Sequence, residues 1–233
     1  MATKTIIALL VGLTLASLHL AQAQQPARVP KIGWLISTSA SRLSSGREAF
    51  RRELRALGYI EGKNIAFESR YADNKFDRLP ALADELVRLQ VDVLVVSSTA
   101  AALAAKKATR KIPIVFTSGG DPVASGLVDS LARPGGNITG FTTIAALLAS
   151  KRLELLKESV PKLSRVAVVW DPQDPTSAQQ WKESQLAARE LGLQLHSMEV
   201  SSADQFESAF KEANQVRNSA RYTLGEILST AVA

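Results

Sequence analysis

The residues best suited to chemistry in this sequence form three clusters of hydroxyl and glycine residues, each directly after a short apolar run. The runs are IGWLI, VDVLVV and IPIVF, and the clusters after them are, in order, Ser37, Thr38 and Ser39, then Ser97, Ser98 and Thr99, then Thr117, Ser118, Gly119, Gly120 and Asp121. Short β-branched runs followed by helical patterns indicate buried parallel strands. All three clusters are therefore expected at one edge of one sheet, where open α/β sheets bind ligands.

These clusters predict a site that holds a small polar or anionic ligand without transforming it. The hydroxyls of Ser98 and Thr99, together with N–H groups at the next helix start, can donate to a ligand carboxylate. Asp121 can accept from a ligand ammonium, and Asp171, in the motif DPQDP, is expected to face it across a cleft. For any one of these residues an ordinary helix cap is the simpler interpretation, but the clusters together favour a ligand site.

Groups for covalent or metal chemistry are scarce in this sequence. It has no cysteine, no HExxH or GxSxG motif and no Walker lysine, so neither a metal nor a cofactor is expected. His196 lies in a predicted strand and is interpreted as structural. Trp34 or Trp170 can stack on an aromatic ligand, although a core position is the simpler interpretation. A secreted α/β enzyme that uses Asp121 and Asp171 on a small polar substrate is an open alternative.

The order of elements predicts a doubly wound α/β sheet in the first half of the chain. Strands are expected near residues 32–36, 64–71, 91–96 and 112–116. Helices are expected near residues 45–57, 77–89, 99–110 and 123–132. Thr99 is predicted to cap the third of these helices. The basic stripe on the first helix is interpreted as a solvated face, formed by Arg47, Arg51, Arg52 and Arg55.

A second α/β unit is predicted beyond the connector RPGGNITG. Its helices are expected near residues 145–160, 176–191 and from 202 onward, and its strands near residues 165–170 and 193–200. No strand-like apolar run follows residue 216, so this lobe is predicted to hold two strands and to be incomplete. The expected divisions are a signal peptide (1–23), a first lobe (24–142), a partial second lobe (143–216) and a tail (217–233).

The N-terminus carries the pattern of a secretory signal peptide. Lys4 precedes an apolar stretch over residues 6–20, and the sequence AQA then predicts cleavage after Ala23. The stretch is too short to span a membrane, and no cysteine is present for lipid attachment. The mature protein is therefore expected to be free in the periplasm. Despite the formal charge of +6, that location argues against a nucleic-acid partner.

Several segments together resemble the tryptophan/tyrosine-type substrate-binding proteins of ABC transporters. They include FRRELRALGYIEGKNIAFESRYAD, FDRLPALADELVRLQVDVLVV and IPIVFTSGGDPVASGLVDSLARPGGNITG, and the resemblance runs from the export signal to about residue 216. It implies a type I periplasmic-binding-protein fold with two Rossmann-like lobes. It also implies a small ligand, often an amino acid, that is clamped between the lobes and delivered to a membrane permease. We expect a monomer.

The resemblance also implies which residues form the site. By position, residues 37–39, Ser98, Thr99 and residues 117–121 match the family's first-lobe site, and Asp171 matches the second-lobe edge loosely. Members of the family continue through more strands and return to the first lobe. This chain therefore resembles a C-terminally truncated member, and we expect it to close poorly on a ligand. Two alternatives stay open, namely the enzyme described above and a periplasmic partner of a sensor kinase.

Overall fold

The computed structural model describes residues 28–40, 45–143, 145–160, 162–202, 204–215 and 219–223. The chain divides after Pro30, and both sheets belong to the unit Lys31–Ala233. The predicted signal peptide and its cleavage site lie outside the described residues. Among the residues that are described, no helix has the length and apolar character needed to cross a membrane.

The first sheet consists of five parallel strands in the order β2-β1-β3-β4-β5. The strands are β1 (Lys31–Ile36), β2 (Ala66–Tyr71), β3 (Val93–Val96), β4 (Ile114–Ser118) and β5 (Ile138–Thr142). The first four are connected by α1 (Ser45–Ala56), α2 (Leu79–Arg88) and α3 (Thr99–Ala108), with a 3₁₀ turn at Phe76–Arg78 before α2. Because the strands are parallel, their carboxyl ends lie at one edge, as the sequence predicts.

The first core forms where alternate residues of the strands meet α2 and α3. Leu94 and Val96 of β3 and Ile114 and Phe116 of β4 are buried at every second position, which places them on one face of the sheet. Helix α2 contributes a leucine stripe, and α3 contributes alanines whose small side chains let the helix lie close to the strands. This contiguous core holds the carboxyl ends of β3 and β4 in place.

The second sheet consists of three parallel strands in the order β7-β6-β8. The strands are β6 (Arg165–Trp170), β7 (Gln194–Glu199) and β8 (Ser219–Thr223). They are accompanied by α4 (Ala149–Ser159), α5 (Pro175–Leu191) and α6 (Gln205–Gln215). The α/β class is thus confirmed. The division into lobes at residue 142 stays a prediction, since both sheets lie in one compact unit.

The central strand β6 and the two ends of α5 organise the second sheet. From its second residue to Trp170, β6 is buried in a core that includes Leu153 of α4 and Phe206 of α6. Helix α5 begins after Asp174, whose carboxylate accepts from the backbone N–H groups of the helix's second and third residues at 3.2 and 3.1 Å. It ends at Gly192, which adopts the left-handed conformation with φ of 64°. The start of α5 is therefore fixed by its own sequence.

Two segments of the first unit differ from the sequence predictions. The predicted helix at residues 123–132 is wrong, because that segment forms turns, with Gly126 at a φ of 71°. The segment predicted as a connector, residues 133–140, contains the first three residues of β5, which pairs with β4. Glycine permits this pairing, because a Cβ at Gly140 would overlap with the backbone carbonyl of Phe116. Turn residues around β5 concealed a strand whose position depends on this close backbone approach.

Further differences concern the second unit and the start of α3. The expectation of only two strands is wrong, since β8 pairs in parallel with β6 over five residues. Its sequence, SARYT, has no apolar run, so periodicity could not reveal it. Helix α4 begins at Ala149, four residues later than predicted. The predicted cap Thr99 is also wrong, because Ser98 is the N-cap of α3 and its hydroxyl accepts from the N–H of Ala101.

Candidate ligand-binding site

The first two hydroxyl clusters meet at the carboxyl ends of the neighbouring strands β1 and β3. Ser37 Oγ and Ser98 Oγ lie 2.5 Å apart and share a hydrogen bond. Ser37 is buried and Ser98 is half-buried, and Ser98 also caps α3. The predicted convergence of these two clusters is therefore present in the structure, with Ser98 as the residue that joins the sheet edge to a helix N-terminus.

Thr99 connects this edge to α5, a helix that accompanies the second sheet. Its side chain is buried, and its Oγ1 lies 2.7 Å from Oγ1 of Thr176, in the first turn of α5. Thr176 is buried as well, so the two hydroxyls satisfy each other away from water. The hydroxyl that the sequence assigns to a ligand is thus bonded to a group of the same protein.

The third cluster, after β4, is held in a tight loop. The backbone carbonyl of Gly120 accepts from Oγ1 of Thr142 at 2.8 Å. A Cβ at Gly120 would lie 3.1 Å from both Thr99 Oγ1 and Gln179 Oε1, so the backbone here closely approaches α5. The backbone N–H of Asp121 donates to Gln179 Oε1 at 2.9 Å. The loop and α5 are therefore joined by a direct hydrogen bond.

The two candidate carboxylates, by contrast, accept hydrogen bonds from groups close to them in the same protein. Asp121 Oδ1 accepts from the backbone N–H groups of Val123 and Ala124 at 2.8 and 3.1 Å, which is a turn cap. Asp171 Oδ1 accepts from the N–H of Gln173 at 2.8 Å and from Ser201 Oγ at 3.2 Å. None of these hydrogen bonds joins Asp121 to the second sheet or Asp171 to the first.

The remaining predicted positions line the same edge with different exposure. Thr38 is half-buried after β1, Ser97 is exposed after β3, and Thr117 is exposed on β4. Ser39 is half-buried, and Ser118 is buried with its hydroxyl directed to the carbonyl of Gly120 at 3.4 Å. Gly119 is half-buried, and a Cβ there would lie 3.3 Å from Thr176 Cγ2.

Helix α5 contacts the first-sheet edge through Thr176 and Gln179, two residues that sequence reasoning did not assign to the site. These residues are three apart in α5 and therefore lie on one face of the helix. The signal was present in the sequence. Asp174 and Pro175 mark a helix start, and that start places both polar side chains in the first turns. The helix itself was predicted correctly at residues 176–191, but the polar side chains of its first turns were not assigned to the site.

Other singled-out side chains are structural. Trp34 is buried edge-to-face against Phe50, with ring centroids 5.2 Å apart, and Trp170 stacks on Trp181 at 5.3 Å. The core interpretation of Trp34 and Trp170 is therefore confirmed. His196, at the surface, is 2.8 Å from a carboxylate oxygen of Glu212.

The interpretation of the basic stripe as a solvated face is wrong for one member. Arg47 is buried, and its Nη1 donates to Tyr71 Oη at 2.7 Å. Its neighbour one turn later, Arg51, lies over the ring of Phe67 and pairs with Glu61 at 3.3 Å. Aromatic residues on β2 draw these two guanidinium groups toward the sheet.

Two parallel sheets, with hydroxyls and backbone donors at the edge of one contacting a helix of the other, define a two-sheet α/β protein whose first-sheet edge is suited to a ligand. The chain belongs to the family of ABC transporter substrate-binding proteins, whose family model matches residues 31–227. The match includes β8 and extends beyond residue 216, into the segment that the sequence had set apart as a tail.

Individual proteins and solved structures are also similar to this chain. A tyrosine-binding protein of Clostridioides difficile (strain R20291) is 34% identical over 135 residues, which are 58% of this chain and 39% of that protein. A conserved domain protein from Vibrio cholerae aligns with a TM-score of 0.70 and 29% identity, over 79% of this chain and 62% of that one. A domain from Streptococcus pneumoniae, solved with L-Trp, has a TM-score of 0.66 and 21% identity, over 83% of this chain and 64% of that one.

These comparisons settle the fold and the class of protein. The fold is that of type I periplasmic binding proteins. The family and its relatives are substrate-binding proteins rather than enzymes, which removes the enzyme alternative based on Asp121 and Asp171. The chain spans less than two thirds of the length of each relative described above.

Proposed function

We propose that this protein is the solute-binding component of an ABC importer and that it binds a small, zwitterionic, amino-acid-like ligand. The observation that carries the proposal is the arrangement at one sheet edge, where Ser37 bonds to Ser98 and the next residue, Thr99, lies against the loop at Gly120. Hydroxyl and backbone donors at the ends of parallel strands suit a carboxylate without the need for a metal or a catalytic base.

The binding mode follows from the donors and acceptors at this edge. The ligand carboxylate accepts hydrogen bonds from the hydroxyl of Ser98, from that of Thr99 once it is released from Thr176, and from backbone N–H groups of residues 119–121. The N-terminus of α3 adds a favourable electrostatic contribution of about 0.3–1 kcal/mol. Asp121 receives the ligand ammonium after release of its local turn, and Asp171 contributes from the second lobe. The amino acids named for the two relatives, tyrosine and tryptophan, fit this scheme.

The cellular setting belongs to the same proposal. The chain is exported, the signal peptide is removed after Ala23, and the protein works in the periplasm as a monomer that docks onto an inner-membrane permease. Residues 24–142 act as the first lobe, the second lobe begins at residue 143 and includes β8, and nucleic acid is not a partner. The family assignment supports an extracytoplasmic location, because substrate-binding proteins of ABC transporters act outside the cytoplasm.

A thermal-shift screen tests the proposed function. The purified protein is heated with each of the twenty standard L-amino acids, and at least one is expected to raise the melting temperature in a concentration-dependent manner. For L-tyrosine, the matched controls are tyramine, which lacks the carboxylate, and 3-(4-hydroxyphenyl)propionate, which lacks the ammonium. A zwitterion-binding site requires both controls to give a smaller shift. If no amino acid shifts the melting temperature, the proposal is rejected.

A further inference from the structure

We propose that Gln179 is an internal competitor for the ligand. This inference rests on the proposed function, because it concerns the same site. The side-chain amide oxygen of Gln179 accepts from the backbone N–H of Asp121. The proposed binding mode assigns that same donor to the ligand carboxylate. The conformation described here and the ligand-bound conformation therefore exclude each other.

The contact is well defined by its geometry. Gln179 Oε1 accepts from Asp121 N at 2.9 Å, a normal hydrogen-bond distance. One turn earlier on the same helix face, Thr176 Oγ1 lies 2.7 Å from Thr99 Oγ1. Gly120 lies between these two contacts, with its Cβ position 3.1–3.3 Å from all three side-chain oxygens. Gln179 and Thr176 together thus cover the first-sheet edge from α5.

The chemistry of the competing groups sets the direction of the effect. An amide oxygen and a carboxylate oxygen are both sp² hydrogen-bond acceptors, so either can accept from the N–H of Asp121. The carboxylate makes the stronger bond, because a charged acceptor roughly doubles the strength of such a hydrogen bond. A zwitterionic ligand can therefore displace Gln179. A neutral ligand without a carboxylate cannot compensate for the lost contact.

The competition has a measurable consequence for affinity. The apparent dissociation constant equals the intrinsic constant divided by the fraction of molecules in which the donor is available. Removing the amide of Gln179 raises that fraction. Substitution by methionine keeps the volume and flexibility of the side chain but removes the acceptor. We expect Gln179→Met to bind about three- to tenfold more tightly, as loss of one competing hydrogen bond implies.

Calorimetric titration with L-tyrosine and with L-tryptophan tests this inference. Gln185→Met, on the exposed side of the same helix, is the matched control and is expected to bind like the unchanged protein. Gln179→Ala removes the same acceptor with a smaller side chain and is expected to tighten binding as well, so it replaces Gln179→Met if that variant does not fold. Weaker or unchanged binding by both variants, beside normal binding by Gln185→Met, overturns the inference. If none of the twenty amino acids binds the unchanged protein, it is the proposed function that fails.

Discussion

The buried pair of Thr99 and Thr176 offers a quantitative test of how the edge of the first sheet is joined to α5 of the second. Each hydroxyl is the other's partner at 2.7 Å, and both residues are at least nine-tenths buried. Valine has nearly the shape of threonine and carries a methyl group in place of the hydroxyl. Replacing one threonine by valine therefore leaves the other hydroxyl buried without its partner.

The expected magnitudes follow from this geometry. An unsatisfied buried hydroxyl lowers the free energy of unfolding by about 1–3 kcal/mol, so Thr99→Val and Thr176→Val are each expected to cost that much. When both partners become apolar, no hydroxyl is left unpaired, and the double variant is expected to lose about 1 kcal/mol or less. The two single changes are thus strongly non-additive.

Urea denaturation of the four proteins measures this double-mutant cycle. Thr139→Val, at an exposed position of β5, is the matched control and is expected to stay within about 0.5 kcal/mol of the unchanged protein. If the losses in unfolding free energy from the two single variants simply add in the double variant, the hydroxyls do not form a buried pair. The described contact between Thr99 and α5 is then wrong.

The other predictions concern the packing that supports the site. Gly140→Ala is expected to cost about 3 kcal/mol or more in urea denaturation, because the new methyl group meets the rigid carbonyl of Phe116. Leu153→Ala, in the second core, is expected to cost about 2–5 kcal/mol, whereas Leu155→Ala on the exposed side of α4 stays within about 0.5 kcal/mol. Asp174→Ala removes the N-cap of α5 and is expected to cost about 0.5–2 kcal/mol, and a loss near zero would contradict the capping geometry.

Sequence reasoning succeeded where periodicity and burial agree. The runs that became β1, β3 and β4 are apolar and β-branched because both faces of a parallel sheet are covered, so their identity and common direction could be predicted. The convergence of Ser37 and Ser98 followed from that topology alone. Strand ends in a parallel sheet have few possible positions relative to one another.

The failures have a different physical origin, because they depend on contacts between segments that are distant in sequence. Strand β5 exists because Gly140 lets two backbones approach, and β8 exists because β6 offers a free edge. Neither condition is visible in a local window of residues. The same holds for Gln179, whose partner is the backbone N–H of Asp121, 58 positions earlier in the chain. A hydrogen bond to a backbone group leaves no signature in the partner's side chain.

The backbone amide signals of the protein in solution show whether the first-sheet edge holds an amino acid. In an NMR titration with the amino acid that gives the largest thermal shift, the amides of residues 98–99 and 119–121 are expected to shift more than those of the second core. The Asp121 amide is expected to move furthest, because its hydrogen-bond acceptor changes from an amide to a carboxylate. Saturable shifts confined to other parts of the chain, or none at all, would mean that this edge is not the binding site.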